Sequence, residues 1–212
     1  MAEQVVLAFS GGLDTSWCVP WLREQGHEVI TATVDVGGIS AEEAAALRVQ
    51  SEVLGAVDHV HVDAREMYFE EVVRYLLAGN VLRGGTYPLC VGSERALQAR
   101  ESARVATERG AKAVAHGCTA AGNDQVRFDI ALRAYAPDIR ALAPIRDLAP
   151  SRPDQVEYLK QRGLPVPAFG ADYSVNSGLW GVTIGGKETK TTDQSIPESA
   201  WQRTRGVFDS PV

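Results

Sequence analysis

The sequence predicts an α/β domain with a doubly wound, parallel, five-stranded sheet. Three observations carry that expectation. Strand-like and helix-like segments alternate five times within residues 1–167, the order a parallel sheet with helical crossovers requires. The first strand is apolar with little alternation, as in a strand covered on both faces. A glycine turn joins it directly to the first helix. Residues 168–212 break the pattern and are expected to form a polar C-terminal extension with a remnant of a substrate loop.

Taken in order, residues 4–9 (QVVLAF) read as the first strand, followed by a turn at 10–13 and a helix over 14–25. Pro20 removes one backbone donor inside that helix and Gly26 stops it. A second strand covers 28–35. Ser40 and Glu43 have capping-box spacing ahead of a helix whose apolar face is expected to hold Ala46, Val49 and Val53. A third strand spans 57–62. Asp63 and Glu66 form a cap-like pair before a helix carrying Phe69, Val72, Val73 and Leu76. Residues 78–92 are glycine-rich and loop-like. A helix at 93–109 ends at Gly110, and a fourth strand at 113–115 runs into His116 and Gly117. The stretch 123–135 reads as a helix burying Phe128, Ala131, Leu132 and Tyr135, with Pro137 ending it. A fifth strand covers 139–143, and Ser151 caps a last helix running to 162. Residues 179–184 suit a short strand. Residues 185–212 read as a weakly ordered extension or a partner-docking arm.

Composition narrows the function classes. The chain has 212 residues, 45% hydrophobic and 23% charged, enough for one sizeable core. A net charge of -6 argues against general nucleic-acid binding, which needs a basic patch or stripe. No apolar run is long enough to span a bilayer. Cys18, Cys90 and Cys118 are widely spaced and form no CxxC pair, which suits reduced thiols. With no charged segment ahead of an apolar one at the N-terminus, the expectation is a cytoplasmic protein.

The sharpest chemical signal is Ser10-Gly11-Gly12-Leu13-Asp14-Thr15-Ser16, placed after a strand and opening a helix. Glycines let the backbone fold closely around an anion, and successive amides with the helix N-terminus then point at it. Ser10, Thr15 and Ser16 add hydroxyls. Asp14 either caps the helix or helps hold a Mg²⁺ ion near phosphates. Neither GxxxxGK[ST] nor GxGxxG is present.

The motif resembles the PP-loop of the N-type ATP pyrophosphatases, which cleave ATP between the α- and β-phosphates. The resemblance widens along the chain. His116-Gly117-Cys118-Thr119 with Gly122-Asn123-Asp124-Gln125-Val126-Arg127-Phe128 is similar to a block of the argininosuccinate synthase family. So are Tyr87-Pro88-Leu89 with Arg95, Ala143-Pro144-Ile145-Arg146, Pro165-Val166-Pro167, Tyr173-Ser174, Asn176 and Leu179-Trp180-Gly181. The resemblance implies an adenine nucleotide alpha hydrolase-like (HUP) fold. It also implies an AMP-forming C–N ligase that joins citrulline to aspartate through a citrullyl-adenylate, with ATP and Mg²⁺ as cofactors. Ser10, Gly11, Gly12, Asp14, Thr15 and Ser16 are then expected around the phosphates, Ala8 and Thr33 near the nucleoside, and Gly117 against the nucleotide. Thr119, Asn123 and Asp124 are expected to hold aspartate. Tyr87, Asn123, Arg127, Ser174 and Thr183 are expected to line the citrulline site. Asp14, Asp124 and Arg127 are the candidate catalytic residues. Arg127 offers a planar fork for a carboxylate, and Asn123 offers both a donor and an acceptor. The chemistry expected is positioning plus charge stabilisation, without a covalent nucleophile. His116, Cys118 and Trp180 read as structural residues.

Three departures from the family pattern stand out. Cys90-Val91-Gly92 replaces Gly-Thr-Ser, so a hydroxyl facing citrulline is absent at Gly92. Ala120-Ala121 replaces Gly-Lys. Family members are about twice this length, and their second half supplies further citrulline contacts and a tetramer arm. The expectations left open are a homo-oligomer, a partner subunit supplying the other half, a different amino-acid or ureido acceptor, or a nucleotide-binding module without turnover.

Overall fold

The computed structural model describes residues 2–167, 173–201 and 206; the side chains of Ser174 and Lys190 lie outside that description. Five parallel strands form the central sheet: β1 (Glu3–Ala8), β2 (His27–Asp35), β3 (Asp58–Asp63), β4 (Ala113–His116) and β5 (Arg140–Leu142). Their order is β3-β2-β1-β4-β5, so the chain winds outward from β1 in both directions. The doubly wound fold is as expected. Its carboxyl edge opens where the winding reverses, between β1 and β4, which is where ligands bind in such sheets.

The lack of alternation in β1 has a direct cause. Val5 and Leu7 face one core with Trp17, Cys18 and Leu22 of α1 (Leu13–Glu24) and Leu159 of α8 (Arg152–Gln161). Val6 faces the other, with Leu97 and Ala103 of α5 (Glu94–Arg109) and Phe128 and Leu132 of α6 (Asp124–Tyr135). A strand between two helical layers has no solvent side, so every residue in its middle is apolar.

Helix α2 (Ala41–Leu54) begins at the expected Ser40–Glu43 capping box and ends at Gly55 with φ 98°. Its buried row differs from the expected one: Leu47, Ser51 and Leu54 pack inward, whereas Val49 and Val53 are exposed. The reason is polar. The Ser51 hydroxyl lies 2.6 Å from that of Thr31 on β2, which in turn lies 2.8 Å from His59 Nδ1 on β3. Satisfying that buried network sets the rotation of the helix. Burial pushes the His59 imidazole down to about 4, so it stays neutral.

Other expectations are also corrected. Asp63 and Glu66 form no cap; Asp63 instead accepts from the Arg65 amide and side chain. A π-helical turn at Phe69–Val73, between α3 (Arg65–Tyr68) and α4 (Arg74–Ala78), shifts the helical phase. Tyr68 is therefore fully buried and Phe69 is exposed. Tyr135 is exposed at the end of α6, with the Arg100 guanidinium 5.8 Å from its ring centre. A short helix, α7 (Pro144–Leu148), follows β5.

The segment read as a strand over 179–184 is a hairpin: β6 (Tyr173–Ser177) pairs antiparallel with β7 (Val182–Gly186). Leu179 and Trp180 lie in its turn, and Gly185 and Gly186 belong to β7 rather than to an extension. Of the region expected to be a weakly ordered arm, 202–205 and 207–212 lie outside the described residues. No helix among the described residues is long and apolar enough to cross a membrane.

Candidate functional site

Three loops meet at the carboxyl edge: the turns after β1 and β2, and the loop after β4. In the first, Gly11 adopts φ +72°, and a Cβ there would come within 2.3 Å of Leu47 Cδ2. Only glycine fits both the backbone and the space. The turn is cross-braced. Ser10 and Thr15 hydroxyls lie 3.3 Å apart, Thr15 Oγ1 donates to the Gly12 carbonyl at 3.2 Å, and Ser16 Oγ donates to that of Gly11 at 3.3 Å. From α2, Gln50 Nε2 donates to the Gly11 carbonyl (3.0 Å) and to Ser16 Oγ (2.9 Å). These bonds occupy the Gly11 and Gly12 carbonyls. The amides that open α1 have no preceding turn to accept from them, so they are available to an anion.

Asp14 does not cap the helix. The N-cap is Gly12 with no side-chain bond, and Asp14 Oδ1 accepts from Gln155 Nε2 of α8 at 2.9 Å. Gly117 packs against the loop: a Cβ on it would sit 2.9 Å from Thr15 Cγ2. Thr33 is buried and donates to the Phe9 carbonyl at 2.8 Å, which braces the turn from β2. Ala8 ends β1 between Ala32 and His116. His116 is buried; its Nδ1 accepts from the Cys118 amide at 3.3 Å, and burial lowers its pKa against the pull of Asp129. All three cysteines are free, and burial pushes Cys118 up to about 12, so it is no thiolate nucleophile.

The geometry therefore packs the glycine turn after β1 against Gly117, which follows β4. A profile of the arginosuccinate synthase N-terminal HUP domain matches residues 4–165. The chain belongs to the argininosuccinate synthase family. It is 38% identical over 210 residues to the argininosuccinate synthase of Lactiplantibacillus plantarum, covering 99% of this chain and 51% of that protein. It is 39% identical over 210 residues to that of Methanocaldococcus jannaschii (99% and 53%). It is 41% identical over 209 residues to that of Bacillus pumilus (98% and 49%). The chain thus spans about half the length of the curated relatives it matches.

Beside the loop lies a second cluster, at the positions this family resemblance links to amino-acid substrates. Asp124 is clamped from both sides: Arg95 Nε donates to Oδ2 at 3.0 Å and Arg127 donates to Oδ1 at 2.7 Å. Arg95 also donates to Gln98 Oε1 (2.7 Å) and to Asn176 Oδ1 on the hairpin (2.6 Å). A Cβ at Gly92 would lie 3.2 Å from the Arg127 guanidinium, so the missing side chain leaves the space beside which Arg127 rests. Thr183 stands opposite Asn176 in the hairpin register, and Ser174 opposite Gly185.

Other expected substrate residues are engaged locally. Tyr87 accepts from the Val91 amide at 3.1 Å, Thr119 donates to the Ala121 carbonyl at 3.3 Å, and Asn123 is the exposed N-cap of α6 without a side-chain cap bond. Gln50, Gln155 and Gln98 were not foreseen as part of the site.

Proposed function

We propose that this chain carries the nucleotide half of argininosuccinate synthase chemistry: the ureido oxygen of citrulline attacks the α-phosphate of ATP and releases pyrophosphate, and the aspartate amine then displaces AMP from the citrullyl-adenylate. The carrying observation is the braced 10–16 turn packed against Gly117, beside the Arg95–Asp124–Arg127 cluster. In this reading the turn holds the phosphates, and Gly117 limits the nucleotide to a thin slot. A Mg²⁺ ion usually takes one carboxylate plus phosphate oxygens. Asp14, with Oδ1 on Gln155, suits that role better than a protein cage, for which no group of three acidic, His or Cys side chains exists among the described residues. Arg127 pairs with a substrate carboxylate, while Asp124, Asn123 and Thr119 orient the aspartate amine. A cytosolic setting, and completion of the acceptor site by a second copy or a partner polypeptide, belong to the same proposal.

The test is to incubate the protein with ATP, Mg²⁺, citrulline and aspartate, alone and with candidate partner subunits, and to follow AMP. Citrulline-dependent AMP is the expected result; none under any combination counts against it.

A second reading, a different amino-acid or ureido acceptor, is favoured by Gly92, where the hydroxyl expected to face citrulline is absent. Gly92→Ser separates the two. Restoring one hydrogen bond is worth about 1 kcal/mol. Citrulline chemistry then predicts a fall in citrulline KM of about fivefold, with little change in KM for ATP, in steady-state kinetics. An unchanged citrulline KM supports the other acceptor.

A further inference from the structure

Glu94 opens α5 with its carboxyl buried, and its Oε1 has no hydrogen-bond partner. The oxygen lies against the hairpin turn: a Cβ added to Gly178 would sit 2.0 Å from it. The Gly178 amide offers it nothing, because it donates to the Gly181 carbonyl at 3.0 Å. The neighbouring cation is also committed, since Arg95 directs its three nitrogens at Asp124, Gln98 and Asn176. Besides the Arg95–Asn176 bond, three contacts among the described residues seat the hairpin around this point. Leu179 N donates to the Val36 carbonyl at 2.8 Å, Trp180 Nε1 donates to that of Pro88 at 2.6 Å, and Gly38 leaves no room for a Cβ beneath the Ser177 carbonyl (2.1 Å).

We infer that Glu94 is a positioning residue whose protonated carboxyl lets the β6–β7 hairpin seat over the mouth, and whose ionisation lifts the hairpin. A buried anion facing a glycine Cα finds no donor, so ionisation is relieved by admitting water. The charged and titratable groups facing Glu94 are Arg95 from its own helix, Asp124 from α6 and Tyr68 from α3. Arg95 favours the anion and Asp124 opposes it, but desolvation outweighs both and pushes the carboxyl up to about 7.

The sign follows. The seated form binds the proton more tightly than the lifted form, whose carboxyl has its ordinary value near 4.5. Seating is therefore strongest in acid, weakens as pH rises from about 4.5 to about 7, and levels off above that. This inference rests on the hairpin's geometry and not on the identity of the acceptor.

Hydrogen exchange of the Leu179 amide tests it, corrected for intrinsic rates and compared between pH 5 and pH 7.5. In the wild-type chain, protection should fall by more than about tenfold across that interval while β1 amides hold theirs. In Glu94→Gln the fall should vanish. In Gly178→Ala, protection should be low at both pH values. Equal falls in wild type and Glu94→Gln, no fall in wild type, or a fall shared with β1 would each overturn the inference. The wild-type profile alone decides if either variant fails to fold.

Discussion

Gly11→Ala should lower ATP affinity by at least tenfold and reduce the thermal midpoint by several degrees. Two effects combine. The backbone at φ +72° is left-handed, which costs an L-residue roughly 1–2 kcal/mol. The new methyl also meets Leu47 Cδ2 at 2.3 Å, so either the turn or α2 must shift. Because Gln50 on α2 holds both the Gly11 carbonyl and Ser16, a shift there unties the brace that aims the amides. Gly26→Ala is the control. Its φ of +89° imposes comparable backbone strain, but nothing lies within 4 Å of the added methyl. It should lose stability and keep full ATP affinity. Calorimetric titration and thermal unfolding of both variants check this; equal loss of affinity in the two would show that general destabilisation, and not the turn, governs binding.

Asp124→Asn should destabilise the domain by about 1–3 kcal/mol and abolish turnover. Each carboxylate oxygen takes one guanidinium, from Arg95 and Arg127 respectively. An amide keeps one acceptor and presents a donor to the other arginine, so one of the two contacts is lost. The Arg95 side chain is only 13% exposed, which leaves little water to replace the lost partner. Adding Arg127→Leu to Asp124→Asn should cost less than the sum of the two single changes, because with Arg127 gone the amide's one acceptor is left to Arg95. Urea unfolding of the four chains measures the coupling, and strict additivity would show that Asp124 does not bind the two arginines together.

How much of this was readable in the sequence depended on how far apart the partners lie. The doubly wound sheet, the Ser40 capping box and the glycine turn between β1 and α1 are local or periodic patterns, and they were legible. The site's braces were not. Gln50 reaches Ser16 across 34 residues, Gln155 reaches Asp14 across 141, and Arg95 reaches Asn176 across 81. A single polar side chain at such distance leaves no periodic mark. The α2 face was misjudged because the Thr31–Ser51–His59 network turns Ser51 inward while Val49 and Val53 face out. The phase of the helix carrying Phe69 was misjudged because a π-helical turn has no simple composition signal. Glu94 carries no sequence mark of its burial, which comes from the hairpin packed against it.

The most direct measurement is a backbone amide NMR titration of the wild-type chain with inorganic pyrophosphate and then with ATP. Saturable shifts concentrated at residues 10–16, joined by Gly117 when ATP is added, are the expected result. Shifts scattered elsewhere, or none at saturating ligand, would contradict a polyphosphate site in the turn after β1.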